Sequence, residues 1–297
     1  MNSVRKVAQY CALALLTCCG AVGAAEELEF RPPASPLDPG AAAVMRDLAV
    51  RVLPVYEEKN PERFLTNLSA IQVIAGHYGP AAASLQSLRE RRKPGDSARA
   101  DGTARVFDIY IRALDVARER RAPFAQSFTQ AFHETVTPLS DLEAFTITGW
   151  RLPQLRNLER ELEQRFALRS DRRTIELSEA VELLYRYFLF DAGRKFEEPL
   201  QRLISEDDQR RYVFDSVRIP GPAGNLIAAV IARPRNAPKP LPALLEFTVL
   251  LDPLQPITEP AAHGYAGVRA FTRGRQAAAA RVIPFQHDGA DARVVIQ

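Results

Sequence analysis

Tyr212-Val213-Phe214-Asp215-Ser216-Val217-Arg218-Ile219 is followed by Pro220-Gly221-Pro222-Ala223-Gly224-Asn225 and then by Leu226-Ile227-Ala228-Ala229-Val230-Ile231-Ala232. The first run alternates in part, and both outer runs are rich in β-branched residues, so each reads as a strand. The Pro, Gly and Asn between them are turn chemistry, and the three pieces together predict a β-hairpin. Working outward, Pro234 to Pro242 is an extended polar loop, and Ala243 to Leu251 is a nearly continuous apolar run. Such a run is expected of a strand buried on both faces. A short helix around Pro260 to His263 leads to a further strand, Ala266 to Phe271, and a helix begins near Asp288 and continues to Gln297. Ten of the 22 prolines fall between Pro220 and Pro284, so this region differs in texture from everything before it. Strand, strand, buried strand, short helix, strand, helix is the opening of an open α/β sheet.

Upstream, from about Pro39 to Arg211, the pattern is helical. Val106, Ile109, Tyr110, Ala113 and Ala117 recur at three- and four-residue spacing, as do Leu155, Leu158, Leu162 and Phe166 after Pro153, which suits a first helical turn. Leu177, Val181, Leu184, Tyr185 and Phe188 predict a wider, central helix. Ser140-Asp141-Leu142-Glu143 has capping-box spacing. Arg89 to Gly102 is polar and reads as an exposed loop between two helical groups. The fold class is therefore α/β, an all-helical region at 26–211 followed by the first strands of an incomplete sheet at 212–297. No repeat of solenoid length is present.

The first 25 residues read as an export signal. Arg5 and Lys6 form a basic n-region, Val7 to Cys19 is apolar, and Ala21-Val22-Gly23-Ala24-Ala25 offers small residues for cleavage after Ala24 or Ala25. The apolar run is too short for a spanning helix, so a periplasmic or secreted protein with no integral span after cleavage is expected. Cys11, Cys18 and Cys19 all lie in this segment, which leaves no disulfide, thiolate metal site or Cys nucleophile in the mature chain. Leu16-Thr17-Cys18-Cys19 is a loose lipoprotein-like box, so a lipid anchor is the lesser alternative. The 297 residues carry 39 basic and 36 acidic side chains with 46% apolar content. That near-balance gives no electrostatic case for nucleic acid as a partner.

Five further pieces carry a resemblance. They are the hairpin ending in Ala232-Arg233-Pro234, then Pro242-Ala243-Leu244-Leu245-Glu246-Phe247-Thr248, Ala262-His263-Gly264-Tyr265, Thr272-Arg273-Gly274-Arg275 and His287-Asp288-Gly289-Ala290-Asp291-Ala292. In this order they resemble the Xaa-Pro dipeptidyl-peptidase and cocaine-esterase-like group of α/β-hydrolases, over roughly residues 212 to 297. The helical region is similar, more loosely, to the amino-terminal extension of secreted members. The resemblance implies hydrolysis of an ester or peptide-like amide, with a small-molecule or peptide substrate and no cofactor. It implies a Ser on a G-x-S-x-G elbow, with a His as base and an Asp orienting it.

The sequence departs from that pattern in two ways. G-x-S-x-G is absent, and the last Ser is Ser216, on the first strand of the hairpin. In the family all three triad members come later than Gln297, so no residue here is assigned a catalytic role. Relatives often carry a Tyr just after the third strand as an oxyanion donor, and Leu250 occupies that place. Losing one such donor costs on the order of 3 kcal/mol in barrier height. The expectation is the amino-terminal portion of an exported serine hydrolase, inactive by itself. The alternative is a secreted, non-catalytic helical interaction module with a degenerate hydrolase remnant.

The other polar candidates read as structural. His263 and His287 have no nucleophile to activate, and Asp288 suits a helix N-cap. His133-Glu134-Thr135-Val136-Thr137 starts like H-E-x-x-H but has Thr137 where the second zinc ligand belongs. His77 lies between helices and fits a helix end. Arg273 and Arg275 suit pairing with an acid of the sheet. Glu159 to Arg165 reads as a solvated helix face with i,i+4 pairs. Gly221 and Gly224 belong to the turn, not to a phosphate loop. No cofactor-binding or metal-ligating residue is assigned.

Overall fold

The computed structural model describes residues 27–91, 98–150, 152–221, 224–237, 240–248, 257–272 and 286–296. The export signal at 1–25, Leu250, Arg273 and Arg275 lie outside them. The chain is mixed α and β, and mostly helical, with two small sheets. In order it forms β1 (Glu27–Glu29), α1 (Ala41–Val52), α2 (Pro61–Ala75), α3 (Tyr78–Arg91), α4 (Ala98–Arg120), α5 (Phe124–Val136), α6 (Asp141–Thr148), α7 (Leu155–Ala167), β2 (Thr174–Glu176) and α8 (Leu177–Arg211). There follow β3 (Tyr212–Pro220), β4 (Leu226–Pro234), β5 (Ala243–Thr248), α9 (Thr258–Ala262), β6 (Ala266–Phe271) and α10 (Asp288–Ile296).

Local chemistry accounts for both ends of α2 and the start of α6. The Asn60 side chain accepts from the amides of Glu62 and Arg63, both at 3.0 Å, and Pro61 follows it at the first helical position. Pro lacks the N–H that this position would leave unpaired. At the other end of α2, Gly76 takes φ 83°, open to glycine without a Cβ penalty, and the His77 amide donates to the Gln72 carbonyl at 2.8 Å. Arg118 covers this end: it donates to the Gly76 carbonyl at 2.8 Å and lies 4.8 Å over the Tyr78 ring. The Ser140–Glu143 capping box is formed in both directions at α6.

The helical core is one contiguous cluster of buried residues reaching from Phe30 to Leu203. Phe196 of α8 sits at its centre, its ring 5.5 Å from Tyr110, 5.6 Å from Trp150 and 6.0 Å from Phe128. The expected apolar stripes are the buried ones: Val106, Ile109, Tyr110 and Ala113 on α4, and Leu158, Leu162 and Phe166 on α7. At Gly102 the backbone of α4 meets the Thr146 carbonyl of α6 so closely that a Cβ has no space.

Several details differ from the sequence reading. Pro153 precedes the N-cap residue Gln154 and so stands just outside α7. The segment Arg89 to Gly102 is not a loop throughout, because α3 runs to Arg91 and α4 starts at Ala98. The region 39–211 also contains a strand, β2, which pairs antiparallel with β1. That pairing joins segments far apart in sequence and leaves no local periodic signal.

Helix α8 ends at Arg211 and β3 starts at the next residue, where the change of texture was expected. The hairpin forms, with β3 and β4 antiparallel from Tyr212↔Pro234 to Pro220↔Leu226. The sheet order is β3-β4-β6-β5, with β4 antiparallel and β5 parallel to β6. The expectation that Ala243 to Leu251 forms a strand buried on both faces is corrected for its described part. β5 is an edge strand, with Leu244 50% and Leu245 37% exposed on opposite faces. The cause is the lack of a covering layer: α9 packs against β4 and β6, and the main described neighbour of β5 is β6, beside it in the sheet.

Candidate functional site

In an open α/β sheet, chemistry collects outside the carboxyl ends of parallel strands. Here those ends are Thr248 of β5 and Phe271 of β6. The ladder continues one residue further, with the Thr272 amide donating to the Thr248 carbonyl at 3.2 Å. Thr272 is buried, and its hydroxyl donates to Asp288 Oδ1 at 3.0 Å. Asp288 is thus the first residue of α10, not its N-cap, and it ties the helix to the end of β6. On β5 and β6, Glu246 and Arg269 stand in register and pair at 3.0 Å. Gly267 is required where β6 passes the Ile257 carbonyl, 2.6 Å from where a Cβ would sit.

Two histidines belong to this region, at opposite ends of the sheet. His263 ends α9 on the side where β6 begins, and its amide donates to the Pro260 carbonyl at 3.1 Å. His287 precedes α10, on the side where β6 ends, and its carbonyl accepts from the Asp291 amide at 3.0 Å. A six-residue strand separates them by roughly 17–20 Å. Ser216 is exposed on β3, the opposite edge of the sheet from β5. Strands about 4.8 Å apart place it roughly 14 Å from β5 across the sheet. The structure therefore assembles no nucleophile–base pair from these groups.

The remaining sequence candidates are scattered. His133 and Glu134 are exposed on α5, and Glu134 accepts from Gln130 at 2.7 Å. Thr137 is the C-cap of that helix. His77 serves a helix end, as expected. Glu161 and Arg165 pair at 3.1 Å along α7, but they also reach α8, through Arg186 at 3.4 Å and Glu182 at 2.7 Å. Gly221 and Gly224 lie at the turn; the Gly221 amide donates to the Asn225 carbonyl at 2.7 Å, and Gly224 has φ 79°. Among the described residues, no group of three or more His, Cys, Asp and Glu is disposed to hold a metal ion. Among them, too, no helix is long and apolar enough to cross a membrane.

The densest polar cluster, unmarked in the sequence, is the joint between the helical region and the sheet. Arg211 is buried and donates to Asp207 at 2.6 Å, Asp141 at 2.9 Å, the Val136 carbonyl at 2.8 Å and the Leu139 carbonyl at 2.9 Å. One guanidinium thereby closes the end of α5 and holds the start of α6. Arg235, just past β4, donates to the carbonyls of Gln209 at 2.7 Å, Arg210 at 3.2 Å and Tyr212 at 3.0 Å. These are carbonyls that the end of α8 leaves without helical partners. Burial, together with the neighbouring Asp207 carboxylate, pushes the Asp208 carboxyl up to about 6, against the opposing pull of Arg211. Burial likewise raises the Tyr212 phenol. Below the joint, Tyr212 and Phe214 pack with Ala232, Ala261, Ala262 and Phe145 of α6.

No protein family, characterised protein or solved structure matches the chain.

Proposed function

We propose that this chain is the amino-terminal part of an exported serine hydrolase of the Xaa-Pro dipeptidyl-peptidase and esterase type. The intact protein would cleave an ester or a peptide-like amide, and residues 1–297 alone would be inactive. The observation that carries this reading is the strand order. β5 leads outward-in to β6, which lies between β4 and β5, so both edges of β6 are filled. A strand entered through α10 and parallel to β6 has only the open edge of β5 to join. That return past β5 reverses the direction of the strand order, and ligand crevices form at such reversals. The apolar Leu244 and Leu245, exposed on either face of β5, suit a strand with neighbours on all sides.

The test is to read the coding DNA past codon 297 in all three forward frames and express the extended chain. A G-x-S-x-G between strand and helix, with covalent labelling of that Ser by a fluorophosphonate, is the expected result. No such motif in any frame, or labelling of the 297-residue chain itself, would overturn the proposal.

One observation favours the alternative of a helical interaction module. The large core cluster draws only on residues from Phe30 to Leu203, all upstream of the sheet.

A further inference from the structure

The first two turns of α2 and the start of α8 line one groove. Residues 61–68 of α2 are exposed or half-buried, and only from Ser69 onward does the helix pack tightly. The groove measures about 690 Å³ and is lined by Glu62, Arg63, Ser178, Val181, Tyr185 and Arg186 among others. Ligand pockets commonly fall in the range of about 300–1,000 Å³. From Ser178 to Arg186 the groove follows α8 for roughly 12 Å, at 1.5 Å of rise per residue.

Most charges around this groove cancel in pairs. Glu58 pairs with Arg63 at 3.3 Å, Glu182 with Arg165 at 2.7 Å, and Glu179 with Arg169. Two groups of opposite sign are left over. Glu62 has no ion-pair partner among the described residues. Arg186 touches Glu161 through Nε alone, at 3.4 Å, and that carboxylate is shared with Arg165. The terminal nitrogens of Arg186 make no hydrogen bond among the described residues, although its side chain is only 34% exposed. The hydroxyls of Ser178 and Tyr185 are likewise without a partner among the described residues. Burial raises the Tyr185 phenol, which keeps its hydroxyl a donor.

We propose that this groove binds a zwitterionic ligand, its carboxylate on Arg186 and the Tyr185 hydroxyl and its ammonium on Glu62. Free amino acids and short peptides share that chemistry. A groove about 12 Å long suits an extended tripeptide, at about 3.3 Å per residue. The proposal does not depend on the hydrolase reading, because neither the sheet nor any nucleophile takes part.

Isothermal titration of the 297-residue chain with trialanine, alanine, trialanine amide and N-acetyl-trialanine tests it. Trialanine is expected to bind saturably, with both blocked forms weaker by about tenfold or more, the scale of one hydrogen bond to a charged group. Alanine binding as tightly as trialanine would support the class and name free amino acids as its source. Arg186→Gln, Tyr185→Phe and Glu62→Gln should each weaken trialanine binding with unchanged circular dichroism. Arg160→Gln, outside the groove, should not. No saturable binding up to about 10 mM, or equal binding of the blocked forms, would overturn the proposal.

Discussion

The Arg211 guanidinium, at the last residue of α8, donates to the Val136 carbonyl at the end of α5 over 2.8 Å, although 75 residues separate the two in sequence. The same group holds Asp207 and Asp141, so its removal strands several buried partners at once. Arg211→Met should destabilise the chain by about 3–5 kcal/mol, the scale of breaking a buried ion pair from one side. Arg211→Lys keeps the charge but lacks the planar fork, and should fall between the two. Urea unfolding of the three proteins measures the series.

Arg235 caps α8 from outside, and its bonds are more exposed. Arg235→Ala should cost about 1 kcal/mol, as for a lost hydrogen-bonded cap, and leave the helical core intact. Hydrogen exchange should quicken in the last turn of α8 and at Tyr212, and not around Phe196. Uniform quickening across the core would contradict the assigned role.

Asp208 gives a pH prediction with a definite sign. Its folded pKa, about 6, lies above its ordinary value of 3.8, so the folded state holds the proton more tightly. The associated stability is fully present below about pH 4 and is lost as pH rises through about 6. Asp208→Asn should therefore be neutral near pH 4, stabilise by about 1–3 kcal/mol at pH 7.5, and flatten the profile between. Equal effects at both pH values would show that the carboxyl is not desolvated.

Two glycines separate backbone crowding from side-chain crowding. Gly102→Ala drives a Cβ into the Thr146 backbone carbonyl, and α4 and α6 must move apart to admit it. Gly193→Ala meets the end of the Leu155 side chain at 2.6 Å, which can turn to another rotamer. The first should cost about 2–4 kcal/mol and the second under about 1.5 kcal/mol. Thermal melts that rank them the other way would refute the close crossing at Gly102.

Among the described residues, the edge strand β5 carries a single charge, Glu246, which is paired with Arg269 of β6, and no Lys, Pro or bulge. The 297-residue chain should therefore associate as its concentration rises. Leu245→Lys should reduce that association, as read by light scattering, with an unchanged melting temperature. A wild-type chain that stays monomeric at high concentration would show that this edge is covered.

What the sequence disclosed was local. The hairpin was legible because Pro220 to Asn225 is turn chemistry between two β-branched runs, and the α6 start because Ser140 and Glu143 hold capping-box spacing. The exposure of β5 was not legible: a continuous apolar run tells what a strand is able to bury, while the layer that would cover it is set by tertiary packing. α8 runs through Pro199 without stopping, with Phe196, Leu200 and Leu203 buried on its core side around it. Asp207-Asp208-Gln209-Arg210-Arg211 resembles any charged helix end, and only the tertiary fold makes Arg211 the buried member. The groove between α2 and α8 left no trace at all, since its two walls are distant in sequence and each looks like an ordinary polar face.

Because α8 passes into β3 without an intervening residue, the boundary between the two regions is not a seam along which genes could cut and rejoin. An excised helical module ending at Arg211 would forfeit the Arg235 guanidinium that closes its longest helix, and a transplanted sheet would lose the anchor of its first strand. Recombination that moves either half should therefore carry the other with it, and a protease seeking an accessible linker should find none at residues 211 and 212.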